Sequence, residues 1–192
     1  MPEVAERLRS FIAIPLPERI KKQLGALQQN LCQAVPELKP VKPENLHLTL
    51  HFLGEQTQDQ LAKIASSMLS IGQKKKNFNA TLEGLGFFPY QRRAKVIWLG
   101  IHPHGDLIDL HDRLAEELKQ LGLAPDPRPY RPHLTIGRFK CQPRQTAAMC
   151  PYLSHGCGSF TIDKMTLFRS QLTAGGAIHS PLKTVDLLGT EN

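Results

Sequence analysis

Two tetrapeptides in this chain carry the same chemistry-bearing residues at the same spacing: His47-Leu48-Thr49-Leu50 and His133-Leu134-Thr135-Ile136. A histidine takes up or gives away a proton near neutral pH because its free pKa lies near 6.5. A threonine two residues on offers a hydroxyl that donates a hydrogen bond to an anionic oxygen. Two such pairs lining one cleft form a metal-independent set for cleaving a phosphodiester. One neutral imidazole removes a proton from the attacking water or hydroxyl. The other, as imidazolium, protonates the leaving oxygen, and the two hydroxyls hold the non-bridging oxygens. Each proton transfer is worth about 10²–10⁴-fold in rate.

The elements that must position these groups read as strands. In "NLHLTLHFLG" (45–54), Leu46, Leu48, Leu50 and Phe52 fall on one parity, and His47, Thr49 and His51 on the other. A β-strand of this pattern buries one face and presents the other. On strict alternation Phe52 helps anchor the strand in the core, and His51 is expected at a rim or on the surface. In the second copy, "PRPYRPHLTIGRF" (127–139), Arg131 shares the parity of His133 and Thr135 and so faces the same side, where it can meet the phosphate or the RNA backbone. Arg138 has the opposite parity and so, on strict counting, faces away from them.

The two copies are 86 residues apart (133 − 47), and that offset places like against like elsewhere. "FIAI" (11–14) lands on "IWLG" (97–100), Pro17 on Pro103 and Leu24 on Leu110. A helix at 17–33 carries Ile20, Leu24, Leu27 and Leu31 on one face. A second at 57–72 has Thr57 as N-cap, and a third at 105–122 repeats Leu107, Leu110, Leu114, Leu118 and Leu121. A weak helix is predicted over 144–153. Strands are predicted at 78–82, 94–101, 158–170 and 182–188. Each half reads strand, helix, His strand, helix, strand. The expectation is one unit over 1–192, with repeats at about 9–82 and 95–168 and interleaved lobes.

Composition excludes some classes and favours others. No run approaches the roughly 18 apolar residues of a membrane span, and the N-terminus lacks the apolar core of a signal peptide, so a cytoplasmic protein is expected. Lys plus Arg number 24 against 17 Asp plus Glu, a net charge of +7, which favours an anionic partner and RNA first. Cys32, Cys141, Cys150 and Cys157 form no C-x-x-C pair, and "CPYLSHGC" (150–157) fits no zinc spacing, so reduced thiols are expected. His102 and His104 flank a proline and only His111 is helical, so no metal site is expected there. "KKK" (74–76) and "QRR" (91–93) read as solvated loop charges that would guide RNA if they lay on the cleft side.

The paired "HLTL" and "HLTI", with "RSFIAIPLP" (9–17), "ENLHLTLHFLGE" (44–55), "LEGLGFFPYQRRAKVIWLGI" (82–101), "YRPHLTIGR" (130–138) and "LFRSQL" (167–172), resemble the two-histidine phosphoesterase superfamily. Within it the chain is most similar to the RNA 2′,3′-cyclic phosphodiesterases, also called 2′–5′ RNA ligases. The resemblance covers nearly the whole chain. It implies an α+β fold of two lobes related by a pseudo-twofold axis, with two antiparallel sheets facing a central cleft and helices packed outside. It implies opening of a 2′,3′-cyclic phosphate at an RNA end to a 2′-phosphate without cofactor or metal, and a weak reverse joining through a 2′–5′ bond. RNA with such an end, tRNA fragments included, is the implied partner, with no obligate protein partner. The resemblance further implies His133 as proton acceptor and His47 as proton donor, although the repeat's own symmetry leaves the two roles interchangeable. It implies Thr49 and Thr135 as phosphate ligands, and Arg138 matches a position that is basic in the family, which a bulge near Gly137 would reconcile with its parity, against the alternative of a surface charge near a strand end. Phe11 resembles a platform for a terminal base, against the alternative of a core aromatic, and Trp98 is expected in the core. Competing readings are a phosphodiesterase acting on 2′–5′ oligoadenylates or small cyclic nucleotides, a non-catalytic nucleotide-binding module, and a metal-dependent hydrolase built on the histidines at 102–111.

Overall fold

The computed structural model describes residues 6–89, 94–143, 149, 152, 154 and 156–189. The weak helix at 144–153, "QRR", Cys150 and His155 lie wholly or mostly outside them. Among the described residues, three helices and nine strands follow in the order β1 (Leu8–Pro15), α1 (Glu18–Ala34), β2 (Leu38–Pro40), β3 (His47–Gln56), α2 (Gln58–Gly72), β4 (Phe78–Phe88), β5 (Val96–His102), α3 (Gly105–Gln120), β6 (His133–Phe139), β7 (Gly156–Ile162), β8 (Lys164–Thr173) and β9 (Gly176–Asp186). A short 3-10 turn, Pro43–Asn45, leads into β3.

The helices form where the apolar spacing put them. Ile20, Leu24, Leu27 and Leu31 are buried on α1, and Leu107, Leu110, Leu114 and Leu118 on α3. Burying each such side chain contributes about 1.5–3 kcal/mol. Thr57 caps α2 in a capping box: its hydroxyl accepts the Gln60 N–H at 3.3 Å, and the Gln60 side chain accepts the Thr57 N–H at 3.0 Å. The stretch 158–170 is divided at Asp163, so that β7 and β8 enter different sheets.

Both sheets are antiparallel. The first has the strand order β3-β1-β8-β9 and the second β2-β6-β5-β4-β7. Each sheet draws strands from both halves of the sequence: β8 joins the first and β4 the second. Helix α1 leaves the first sheet and packs on β2, β6 and β7 of the second, whereas α3 leaves the second and packs on β3 of the first. The helices cover the outer faces and the inner faces border the cleft.

Pairing registers decide which residues face the cleft. On β1, Ala13 stands opposite Thr49 and Ile12 opposite His51, so Leu50 is an extra, bulged residue. On β5, Trp98 stands opposite Thr135 and Ile97 opposite Gly137, so Ile136 is bulged in the same way. Both bulges directly follow the motif threonine. A bulge shifts the pleat by one, and every later side chain changes face.

This overturns the strict-alternation reading of "NLHLTLHFLG". His51 is no rim residue. It turns to the helix side, is 4% exposed, and donates its Nε2–H to the carbonyl of His111 on α3 at 2.8 Å. Phe52 is no core anchor. It turns to the cleft side and is 74% exposed. A second bulge at Leu53 follows, where Gly54 adopts a φ of 71° that side chains avoid. Gly137 takes the place of His51 in the second copy, and a Cβ there would lie 2.7 Å from Leu38 Cδ1. The strand β2 laid over β6 leaves no room for one.

The 86-residue offset holds between β3 and β6 but slips by one between β1 and β5. Ala13 and Trp98, the partners of Thr49 and Thr135, are 85 apart (98 − 13). Phe11 and Ile97, matched by the sequence alignment, therefore face opposite sides. Lys75 is also not a solvated charge. Its ammonium bonds Asp106 at 2.7 Å and Asp109 at 2.9 Å on α3, and only 12% of its side chain is exposed.

Candidate active site

His47 and Thr49 open β3, and His133 and Thr135 open β6. All four are half-buried, between apolar neighbours that are almost fully buried: Leu48 and Leu134 at 0% exposure, and Ile136 at 1%. Sequence alternation suffices here because the bulge comes only after the threonine in each copy.

Both imidazoles are oriented from behind. His133 Nδ1 lies 2.7 Å from the carbonyl oxygen of Arg131. A carbonyl only accepts, so the ring carries a hydrogen on Nδ1 and the neutral ring keeps its lone pair on Nε2. His47 likewise donates to the carbonyl of Asn45, two residues upstream. The two motifs thus hold their histidines through the same backbone contact.

The surroundings of His47 are aromatic. Phe11 lies 4.8 Å from it between ring centroids, and Phe168 stacks on Phe11 at 5.2 Å. Phe11 is only 3% exposed. This corrects the platform reading: with its face covered by His47 and Phe168, Phe11 is a floor beneath the His47 ring and offers no open face to a base. His133 meets Phe88 edge-on at 5.1 Å and Trp98 at 6.1 Å. Trp98 is half-buried and stacked on Phe88, so it walls the site and is not part of the deep core.

A third histidine, absent from both motifs, sits beside His47. His179 on β9 meets the His47 ring edge-on at 5.2 Å and Phe11 at 4.9 Å. In a flat sheet this contact is impossible. His47 pairs at the Pro15 end of β1, and His179 pairs with Ser170 of β8, beyond the other end of the β1–β8 ladder. The first sheet curls into a half-barrel that folds these diagonal corners together, and Asn45 Nδ2 donating to the Ala177 carbonyl at 2.9 Å closes the seam. A cavity of about 250 Å³, lined in part by Lys42, Asn45, Thr173 and His179, opens at this corner. No sequence spacing pointed to His179.

The electrostatics follow from this packing. Burial pushes the His47 pKa down to about 4, helped by the neighbouring His179 and opposed by the Asn45 carbonyl. Burial also lowers His179. In the free protein His47 and His179 therefore favour the neutral form. A phosphodiester anion placed among them restores the imidazolium, because opposite charge at close range raises a histidine pKa.

Tyr130 ties the two motifs together. Its hydroxyl donates to the Thr49 carbonyl at 3.0 Å, and its ring stacks on His111 at 4.0 Å, which in turn stacks on His51 at 4.1 Å. Three residues before His133, the chain is thus pinned to the edge strand of the other sheet. Tyr130→Phe should cost about 1 kcal/mol by leaving that carbonyl unpaired. The expected lowering of Tm is about 2–4 °C in a thermal melt, and an unchanged Tm would show the bond to be energetically idle.

Arg131 is exposed and lies before β6; its backbone carbonyl, not its side chain, is what touches His133. Arg138 is exposed and pairs opposite Val96, on the His133 face, because the bulge at Ile136 reverses its parity. Of the other histidines, His111 is engaged with His51 and Tyr130, whereas His102 and His104 pair with each other at 4.3 Å. Among the described residues, Cys32, Cys141 and Cys157 are free thiols.

The model of the 2′-5′ RNA ligase superfamily matches residues 16–174. The chain belongs to that superfamily. Among superfamily members, the RNA 2′,3′-cyclic phosphodiesterase of Methanothermobacter thermautotrophicus is 31% identical over 185 residues, covering 94% of this chain and all of the relative. The enzyme of the same name from Escherichia coli is 31% identical over 182 residues, covering 94% and 97%. The crystal structure of E. coli LigT complexed with 3′-AMP superposes with a TM-score of 0.78 at 30% identity, covering 95% of this chain and 99% of that one. That of TT0787 of Thermus thermophilus gives 0.82 at 26% identity, covering 96% and 100%. The superfamily fold is the α+β arrangement of facing antiparallel sheets described above.

Proposed function

We propose that this superfamily member hydrolyses RNA ending in a 2′,3′-cyclic phosphate to the 2′-phosphate, by two-histidine acid–base catalysis without a metal. The observation that carries the reading is the mirrored placement of His47 with Thr49 and His133 with Thr135 on cleft faces, each ring held by a carbonyl two residues upstream. The names of the relatives, and the nucleotide held by the E. coli structure, support the substrate class.

In this mechanism the Thr49 and Thr135 hydroxyls grip the non-bridging oxygens. Water attacks phosphorus and gives its proton to His133 Nε2. The bond from phosphorus to the 3′-oxygen breaks, and that oxygen takes the proton of the His47 imidazolium. The depressed pKa of His47 suits this step. The group is a strong acid, and the bound anion supplies the charge that populates its protonated form. Reversal through the same residues joins a 5′-hydroxyl end to the cyclic phosphate by a 2′–5′ bond. We read the chain as one unit of two interleaved lobes, acting on RNA in the cytoplasm.

The test incubates the protein with an oligonucleotide bearing a 2′,3′-cyclic phosphate in excess EDTA. Turnover to a 2′-phosphate end is expected. Loss of activity with EDTA would overturn the metal-free mechanism, and a 3′-phosphate product would overturn the assignment of the broken bond.

A further inference from the structure

The carbonyl that orients His133 belongs to Arg131, in a segment that no ladder fixes. Between Gly122 and β6 the chain belongs to no helix or strand. Pro125, Pro127, Pro129 and Pro132 fall within it, and proline has no N–H with which to anchor the backbone. A side chain supplies the anchor instead. Tyr130, the neighbour of Arg131, ends a column of three rings drawn from three separate elements. His51 on β3 stacks on His111 of α3 with their planes 16° apart, and His111 stacks on Tyr130 at 2°. Each end of the column is tied to backbone: His51 donates to the His111 carbonyl, and the Tyr130 hydroxyl to the Thr49 carbonyl. The middle ring is held as well, since His111 Nδ1 lies 2.8 Å from the Asp112 carboxylate. Edge strands leave backbone groups without a sheet partner. The strand β3 is an edge, and Tyr130 takes up one of its carbonyls.

We propose that His111 and Tyr130 are positioning residues for His133: the ring column holds the Arg131 carbonyl where it accepts the Nδ1–H, so that Nε2 presents its lone pair to the cleft. The proposal rests on the phosphodiesterase reading above, in which that lone pair takes the proton of the attacking water. Pro129 and Pro132 flank the Tyr130–Arg131 pair and lock their own φ at about −65°, so a tether on Tyr130 reaches the Arg131 carbonyl with little slack. With the middle ring removed, Tyr130 loses its support and the carbonyl loses its place. The neutral His133 ring is then free to carry its hydrogen on Nε2, where it cannot act as a base. A misplacement of about 1 Å at such a group costs on the order of 10²-fold in rate.

The test compares wild type, His111→Ala and His111→Phe on an oligonucleotide with a 2′,3′-cyclic phosphate, in excess EDTA and well below the melting temperature. The bond from His51 goes to the backbone of residue 111 and survives both substitutions. His111→Ala is expected to lower kcat by about 10–100-fold with KM nearly unchanged, and His111→Phe, which rebuilds the stack, to recover most of the loss. Nitrogen-15 NMR of the neutral His133 ring, assigned by its disappearance in His133→Gln, should show the hydrogen on Nδ1 in wild type and His111→Phe. In His111→Ala it should be shared between Nδ1 and Nε2. An unchanged kcat in His111→Ala, a phenylalanine variant as weak as the alanine one, a loss confined to KM, or the same tautomer in all three proteins overturns the proposal. If wild type does not turn over the substrate, the phosphodiesterase reading falls, and the NMR comparison alone decides whether the column orients His133.

Discussion

Alanine in place of His133 is expected to lower kcat toward a cyclic-phosphate oligonucleotide by about 10²–10⁴-fold, and alanine in place of His47 to do the same. The double variant should be little worse than either single one, because the two proton transfers serve one transition state and their losses do not multiply. KM should move little, since the threonines and the cleft walls remain. A leaving-group comparison separates the two roles. A phosphodiester of 4-nitrophenol departs without a proton, so His47→Ala should lose far less on that substrate than on RNA, whereas His133→Ala should lose about as much on both. The opposite pattern would exchange acid and base. Either single variant retaining more than about a tenth of wild-type activity on RNA would sink two-histidine catalysis.

Acid should destabilise this protein over a defined window, and two histidines set it. His47 and His51 both have pKa values pushed down to about 4, chiefly by burial. In the unfolded chain both return to about 6.5. At pH 7 neither state binds the proton, and below about 4 both do. Between these limits the unfolded chain holds more protons, so the unfolding free energy falls as pH falls from about 6.5 to about 4. A gap from 6.5 to about 4 is worth about 3 kcal/mol for each histidine. That is a large share of a total of about 5–15 kcal/mol. Urea unfolding at pH 7, 5.5 and 4 measures it. His51→Gln, which keeps an amide donor for the His111 carbonyl, should remove about half of the dependence. A stability that is flat between pH 4 and 7 would show that water reaches both rings.

The helices were legible because their apolar residues recur at helical spacing and their ends carry capping groups, as Thr57 does. The two His-x-Thr pairs were legible because His and Thr at that spacing lie on one face of a strand wherever the pleat is regular, and the repeat marked both strands. Arg138 was legible for the same reason: strict counting put it on the wrong face, and its match to a basic family position required a bulge. The same requirement, carried back 86 residues, would have turned Phe52 into the cleft and His51 onto α3. Between the two readings of Phe11, the platform suggested by the resemblance gave way to the core aromatic, because a matching position does not report what covers the ring.

By itself the sequence determined the two His-x-Thr pairs and the strands that carry them, the three long helices and the superfamily. These are local properties, set by side-chain chemistry and by periods of two and 3.6 residues along one segment. The tertiary structure alone decided the rest. It placed His179 against His47 because a sheet curls and brings its diagonal corners together. It pinned Tyr130, ahead of β6, to the Thr49 carbonyl of the other sheet, and it buried His47 enough to push its pKa down to about 4. Curvature, burial and contact between distant segments arise only when the sheets close on one another, so no stretch of sequence carries them.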